Sequence, residues 1–184
     1  MATSYPTPLY SHAGRGEFSE VYEPAEDSFL LIDALEKDAE MLQLKRGWQW
    51  IRSGVCISGI SGWTLSPVHV SKSDMKSSQC TAMTASCNGV SLQPVLTDLV
   101  GSKGIEAAWA GGKRGREVTD RFLPLVAQLL SKKGLFYLVT IAENNPEEII
   151  RLLQECGLRG ESCLSTRAGN ERLCILRFSW SQQT

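Results

Sequence analysis

The stretch GLFYLVTIAENNPEEIIRLLQECG, residues Gly134 to Gly157, decides the fold class. It contains an uninterrupted apolar run of strand length, Leu135 to Ile141, of the kind that is buried on both faces of a parallel sheet. The sequence Asn145-Pro146-Glu147-Glu148 then caps a helix that ends at Cys156-Gly157. A buried strand that is followed at once by a helix predicts an α/β protein.

The segment that follows this helix predicts an antiparallel edge. The tail ERLCILRFSW, Glu171 to Trp180, alternates well enough to be a strand, and we expect its centre at Leu173 to Phe178. Residues Cys163 to Arg167 can pair with it around Ala168-Gly169-Asn170. The C-terminal half therefore predicts an α/β sheet with an antiparallel edge.

Two further helices are predicted before the apolar strand. Apolar residues at Phe29, Ile32 and Leu35 follow an acidic first turn and predict a helix around Ala25 to Leu42. The run GREVTDRFLPLVAQLLSKKG spaces four apolar residues on one helical face and ends in two lysines and a glycine; the four are Val118, Phe122, Leu125 and Leu129. Pro124 lies inside this run, so a kink or a split helix is possible.

Composition favours one soluble globular domain over residues 1–184. Of 184 residues, 42% are hydrophobic and 21% are charged, and the formal net charge of −1 does not suggest a nucleic-acid binder. We predict neither a signal peptide nor a membrane span, and hence a cytoplasmic or nuclear protein. The six cysteines form no C-x-x-C pair and only two histidines accompany them, so no zinc site is predicted.

Five separated blocks of the sequence carry a resemblance to a known family. They are VYEPAEDSFLLIDAL, LQPVLTDL, GIEAAWAGGKRGREVTDRF, GLFYLVTIAENNPEEI and GLRG. In this order they resemble the eukaryotic HemK-type methyltransferases, which are also known as N6-adenine-specific DNA methyltransferase-like proteins. The resemblance implies a class I, Rossmann-like methyltransferase sheet and S-adenosylmethionine as cofactor.

The resemblance also implies an acceptor and a partner. Members of this family methylate a glutamine side-chain amide in the class-1 translation release factor, and a histone-lysine activity is attributed to the group. They work with a small zinc-binding activator subunit. We therefore expect a protein methyltransferase, in cytoplasm and nucleus, with DNA adenine methylation as a further alternative.

One family hallmark, the glycine-rich cofactor loop Glu-Val-Gly-Ser-Gly-Ser-Gly, is not readable in this sequence. The stretch KRGWQWIRSGVCISGISGW, Lys45 to Trp63, stands in its place. A synonymous coding of Arg46 to Thr64, read one nucleotide later, gives Glu-Val-Gly-Ser-Gly-Ser-Gly-Val-Val-Ser-Ala-Phe-Leu-Ala-Ser-Val-Val-Gly-Pro. We therefore interpret residues 46–76 as an aberrant, frameshifted or mis-spliced segment without regular structure; a genuine divergent loop is the alternative.

The second hallmark, Asn-Pro-Pro-Tyr, is absent. The resemblance places it after the fourth strand, where its asparagine would hold the acceptor amide in line with the cofactor methyl group. Here Thr97-Asp98-Leu99-Val100 runs through Gly101-Ser102-Lys103 into GIEAAWAGG. We interpret the sheet as internally truncated, and we predict no catalytic residue in this chain.

The remaining candidate residues bind the cofactor by resemblance alone: Tyr22, Glu23, Pro24, Ser28, Asp98 and Leu99, with Asp74 a weaker candidate. For the four residues from Tyr22 to Ser28 in this set, the alternative is an ordinary helix start. For Asp98 the alternative is a turn aspartate. Asp74 is offset from the family register by two residues and is more simply part of the aberrant segment. Lys113, Arg114 and Arg116 are interpreted as a solvated face.

Two functional classes stay open. The chain is either a methyltransferase that uses S-adenosylmethionine with impaired activity, or a noncatalytic isoform or erroneous gene model that retains partner binding. In the second case an edge strand such as Leu92 to Leu96 could pair with the activator subunit by strand addition.

Overall fold

The computed structural model describes residues 7–21, 23–44, 69–71, 75–89, 94–96, 116–130 and 132–181. These residues belong to two compact units. The first unit contains the described residues up to Ala25 and those between 69 and 96, and the second contains residues 26–44 and the described residues from 116 onward. The single domain that the sequence predicts over residues 1–184 stays a prediction.

The described elements follow one another in an α/β order. In chain order they are a 3-10 helix Gly16–Phe18, α1 Glu26–Lys37, α2 Ala39–Leu44, β1 His69–Ser71, α3 Met75–Cys87, β2 Pro94–Leu96, α4 Glu117–Leu129, β3 Leu135–Ile141, a 3-10 helix Ala142–Asn144, α5 Pro146–Glu155, β4 Leu158–Ala168 and β5 Glu171–Trp180. No helix formed by the described residues is long and apolar enough to cross a membrane.

The first unit is a β–α–β arrangement with an N-terminal segment on its helix. β1 and β2 pair in parallel, with Val70 opposite Val95, and α3 connects them. A short apolar cluster joins the N-terminal segment to α3; it consists of Ala13, Phe18, Val21 and Cys80. Parallel strands need a crossover of this kind, so the arrangement follows from the helix between the strands.

The second unit is a three-stranded antiparallel sheet in the order β3-β5-β4. Tyr137 and Arg177 lie on the sheet face that carries the end of α1, where the Tyr137 hydroxyl donates to Asp38 over 2.6 Å. The opposite face carries α4 and α5, since Phe136 makes an edge contact with Phe122 of α4 at 5.9 Å between ring centroids. Helices on both faces explain why β3 reads as an apolar run.

Several predicted elements are confirmed. β3 spans the predicted residues, α5 differs from the predicted helix by one residue at its end, and β4 and β5 form the predicted hairpin around Gly169. Phe136 and Tyr137, which point to opposite faces of β3, are both buried. The parallel partner that the apolar run predicts is not present among the described strands, where β3 pairs antiparallel with β5.

Other predictions need correction. The helix predicted around Ala25 to Leu42 is divided at Asp38 into α1 and α2. α4 continues through Pro124, whose side chain is exposed. Of the predicted apolar face, Phe122 is buried and Leu125 is half-buried, and Leu123 and Val126, which were not predicted, are buried as well.

The prediction of irregular structure over residues 46–76 is wrong where it can be compared. His69–Ser71 form β1, and α3 begins at Met75. Pairing with Pro94–Leu96 explains the strand, because a neighbouring strand satisfies backbone groups whatever the local side-chain pattern. Residues 46–68 and 72–74, including Trp48, Trp50 and Trp63, lie outside the described residues.

Candidate functional site

The candidate site begins with the segment of residues 7–21 and 23–25, here called the N-terminal strap. Successive main-chain turns shape it, since the amides of Ala13, Phe18 and Val21 donate to carbonyls three residues earlier. Gly14 and Gly16 adopt positive φ angles of 73° and 54°, a conformation that glycine reaches without strain. The strap therefore changes direction at Gly14 and Gly16.

Side chains of α3 hold the strap. Asn88, directly after α3, bonds to both main-chain polar groups of Leu9. The His12 Nε2 atom lies 2.7 Å from Thr84 Oγ1, and Lys76 Nζ lies 3.0 Å from Glu20 Oε2. Three polar contacts and the apolar cluster thus fix the strap along one helix.

Glu23 is the predicted cofactor residue that this arrangement positions. A Cβ atom built on Gly14 would lie 3.2 Å from the Glu23 Cβ, so the strap backbone passes directly behind this side chain. Arg15 approaches the Glu23 carboxylate at 4.0 Å. The Glu23 side chain is 51% exposed, so its carboxylate remains open to a ligand.

Ser28 has different surroundings, in the first turn of α1. It is fully buried, its amide donates to Asp27 Oδ1 over 2.8 Å, and its hydroxyl lies 3.4 Å from the same oxygen. These contacts place Ser28 in the first turn of α1, and its assignment to the cofactor stays a prediction. Tyr22, Asp74, Asp98 and Leu99 lie outside the described residues, and their assignment to the cofactor stays a prediction.

Two polar clusters were not anticipated from the sequence. In the first, Arg177 bridges Asp38 at 2.6 Å and Glu161 at 2.5 Å, and Tyr137 donates to the same aspartate. Burial, followed by the hydrogen bond to Asp38, raises the pKa of Tyr137. Burial alone would lower the pKa of Arg177, but its hydrogen bonds to Glu161 and Asp38 outweigh burial and raise it. The cluster joins the α1–α2 turn to the sheet.

The second cluster lies at the carboxyl end of β3. Arg116 is buried, bonds to Asp120 of its own helix over 2.7 Å, and bonds to Glu148 of α5 and to the Asn144 carbonyl. The interpretation of Arg116 as part of a solvated face is therefore wrong. An acid four residues later, at Asp120, was the sequence signal for this arrangement.

The turn after β3 also differs in detail from the predicted helix cap. Asn145 precedes Pro146 as expected, but its φ angle is 53° and its side chain makes no cap bond to the helix backbone. Its amide instead donates to Glu148 Oε2 over 3.2 Å, while Asn144 Oδ1 accepts the Ile141 amide. Asn145 thus supports the carboxylate that holds Arg116.

Comparison with known proteins identifies relatives of this chain. No family model matches it. It is 46% identical to methyltransferase HEMK2 of Mus musculus over 98% of this chain and 99% of that protein, and 44% identical to methyltransferase HEMK2 of Homo sapiens over 97% and 98%. The chain belongs to the HemK-type methyltransferase family. This family uses S-adenosylmethionine, as the resemblance implied.

Two further relatives extend the comparison. The HemK-type chain is 32% identical to the eRF1 methyltransferase catalytic subunit mtq2 of Schizosaccharomyces pombe over 94% of both sequences. A solved complex of Mtq2 and Trm112 from E. cuniculi, responsible for methylation of the eRF1 translation termination factor, matches 87% of this chain with a TM-score of 0.50 and 21% identity. That likeness confirms the class I methyltransferase fold.

The alignment lengths carry one more observation. The mouse relative aligns over 216 positions whereas this HemK-type chain has 184 residues, so at least 32 aligned positions have no residue in this chain. Nearly all of both sequences is covered, so these positions are internal.

The residues that are present do not fit S-adenosylmethionine well. Of the predicted cofactor residues that the structure describes, Glu23 offers an exposed carboxylate and Ser28 is fully buried. In the shifted reading, the glycines that would bring backbone amides to the cofactor carboxylate stand opposite Trp48, Trp50 and Arg52 of this chain.

Proposed function

We propose that this chain is a variant of a methyltransferase that methylates a glutamine side-chain amide in a class-1 translation release factor, and that the variant itself is catalytically impaired. The observation that carries the proposal is the alignment: near-complete coverage of HemK-type relatives with at least 32 internal positions unmatched. The names of two relatives, from S. pombe and E. cuniculi, support eRF1 as the acceptor class.

The impairment follows from the chemistry of the missing groups. A preformed glycine turn supplies backbone donors to the cofactor carboxylate, and side chains at Trp48, Trp50 and Arg52 would occupy the space that the cofactor needs. Ser28 and Asp98 could contribute a few hydrogen bonds to the cofactor, each worth about 0.5–1.5 kcal/mol net, which does not replace a preformed pocket. Without the asparagine of Asn-Pro-Pro-Tyr, the acceptor nitrogen also lacks its orienting group. We therefore assign no catalytic residue.

The proposed partner is a small zinc-binding activator subunit. The E. cuniculi relative was solved as a complex with a second protein, Trm112, which supports a heterodimer. Among the strands that the structure describes, β2 pairs only with β1, and a pair of three-residue strands is too small to be stable alone. Strand addition along β2, within the Leu92 to Leu96 segment that the sequence suggested, would supply a third strand.

The noncatalytic alternative keeps this partner and loses the reaction. A noncatalytic isoform, or a polypeptide that corresponds to an erroneous gene model, would bind the activator through β2 without binding the cofactor. Histone lysine and DNA adenine rank behind the release factor as acceptors, because two relatives are named for eRF1. We place the complex in cytoplasm and nucleus, where these acceptors occur.

Calorimetric titration with S-adenosylmethionine, with and without the activator subunit, tests the proposal. We expect no micromolar binding by the unaltered chain and no methyl group on release factor when the product is examined by mass spectrometry. A matched variant replaces Arg46 to Thr64 by the sequence of the shifted reading frame. It should recover cofactor binding but no methyl transfer, because Asn-Pro-Pro-Tyr is still missing.

Two results would overturn this proposal. Micromolar affinity or methyl transfer by the unaltered chain would contradict the impairment. An intact reading frame across Arg46 to Ser73 in many transcript reads would contradict the frameshift and leave a genuine divergent loop.

A further inference from the structure

The side chain of Asn88 and the main chain of Leu9 form a pair of hydrogen bonds, here called the latch. The Asn88 Nδ2 atom donates to the Leu9 carbonyl over 2.9 Å, and the Leu9 amide donates to Asn88 Oδ1 over 2.8 Å. A second bond from Nδ2 to the Thr84 carbonyl, over 2.8 Å, fixes the orientation of the amide on its own helix. One side chain thus satisfies both polar groups of a residue 79 positions away.

The side chain of Leu9 itself contributes little to the attachment of the strap. It is 62% exposed, whereas Pro8 directly before it is buried. The apolar cluster that joins the strap to α3 includes Ala13 as its first residue. The two hydrogen bonds of Asn88 therefore fix the main chain of Leu9, next to a buried proline.

Thr84 forms the next anchor of the strap. The buried Thr84 hydroxyl donates to the Cys80 carbonyl over 2.8 Å, which fixes its position on α3. His12 Nε2 lies 2.7 Å from the same hydroxyl oxygen, so this hydrogen bond ties the strap to α3 at a second point.

The anchored strap leads directly to Glu23. Two residues after His12 the chain turns at Gly14, where an added Cβ atom would lie 3.2 Å from the Glu23 Cβ. Arg15 then faces the carboxylate at 4.0 Å. A displacement of the strap would move the two groups that border Glu23.

We infer that Asn88 and Thr84 are positioning residues that latch the N-terminal strap on α3 and thereby set the position of Glu23. The cofactor role of Glu23 rests on the proposed function, whereas the latch itself does not. The group that the latch binds is the main chain of Leu9 in the same polypeptide.

Hydrogen exchange of the ligand-free chain, followed by nuclear magnetic resonance, tests the latch. In Asn88→Ala the Leu9 amide should exchange about tenfold faster or more, because it loses its acceptor. Asn88→Asp keeps an acceptor for the Leu9 amide but loses both hydrogen bonds of Nδ2, so its Leu9 rate should lie between those of the original chain and Asn88→Ala. Ser86→Ala, a change at an exposed position of the same helix, is the matched control and should alter neither.

The effect of the latch on the position of Glu23 is measured separately. The amide signals of Gly14 and Glu23 should shift in Asn88→Ala and remain in place in Ser86→Ala. An unchanged Leu9 rate, or equal acceleration of the amides of β5, would overturn the latch, since the second result means that Asn88 only supports overall stability. Unmoved Gly14 and Glu23 signals would overturn the positioning role.

The same variants separate this inference from the proposed function. In the chain with residues 46–64 restored, Asn88→Ala should weaken binding of S-adenosylhomocysteine about tenfold or more relative to Ser86→Ala. Failure of the proposed function would appear as no binding by any restored chain, while failure of the latch would already appear in the ligand-free exchange rates.

Discussion

Gly160 is the position at which a single added methyl group has the most direct consequence. It lies opposite Phe178 in the β4–β5 pair, and a Cβ atom there would lie 2.3 Å from the Phe178 ring and 3.3 Å from Ile150 of α5. The Phe178 ring is fully buried and stacks on Phe136 at 5.8 Å between centroids. The ring therefore has no free space into which it could move.

The magnitude follows from these distances. Carbon atoms approach comfortably to about 3.5–4.0 Å, so Gly160→Ala requires the ring to shift by roughly 1 Å or more. Overpacking of this kind costs about 1–3 kcal/mol, against a gain of about 0.4–1 kcal/mol from the reduced entropy of the unfolded chain. We expect a net loss of about 1–2 kcal/mol. In a chain of 184 residues that corresponds to a lower Tm by about 2 to 8 °C.

Thermal and denaturant unfolding check this prediction. Ser165→Ala, at an exposed position of the same strand, is the control and should change stability by less than about 0.5 kcal/mol. Phe178→Leu should destabilise by itself, yet cost less when Gly160→Ala is present, because the smaller side chain relieves the clash. Equal or higher stability of Gly160→Ala, or strict additivity in the double variant, would refute the packing argument.

Three further experiments test the polar groups of the second unit. In the original chain, the free energy of unfolding should fall as the pH rises above about 10, because the raised pKa of Tyr137 means that this tyrosine ionises first in the unfolded chain. Tyr137→Phe should remove this fall, and unfolding of both chains at pH 8 and pH 11 shows the difference. Burial raises the pKa of Cys163, so iodoacetamide at pH 8 should modify exposed Cys156 before Cys163, as peptide mass spectrometry would show. Arg116→Met should lower the free energy of unfolding in urea by about 1–3 kcal/mol, because the hydrogen bond from Arg116 to Glu148 of α5 is lost. An unchanged midpoint would contradict a stabilising role of this bond.

Local patterns predicted those elements whose boundaries depend on nearby residues. The apolar run of β3, the proline and acids that open α5, and the glycine turn at Gly169 are all readable within a few residues. The division at Asp38 was not readable, because its partners Tyr137 and Arg177 lie 99 and 139 residues further along the chain. The block GLRG shows the same limit, since only the packed structure explains the glycine opposite Phe178.

The candidate site was less accessible to sequence reasoning than the fold. Glu23 could be named by family resemblance alone, and nothing in its local sequence distinguishes a cofactor contact from a helix start. Its supports at Asn88 and Thr84 are separated from the strap by 79 and 72 positions. Side-chain amides that bond to a distant main chain leave no local period, so no pattern predicted the latch.

The described contacts of the strap and of the second unit do not depend on the segment that stands in place of the family's cofactor loop. The strap is held by α3, and the second unit is closed by strands and helices that come after residue 116, so both sets of contacts use residues outside the segment 46–64. The donors for the cofactor carboxylate, in contrast, depend on that segment in the family pattern. Under the proposed function, a change confined to that segment would remove binding energy for the cofactor and leave the described packing in place. The proposed loss of methyl transfer therefore does not require a loss of the described structure.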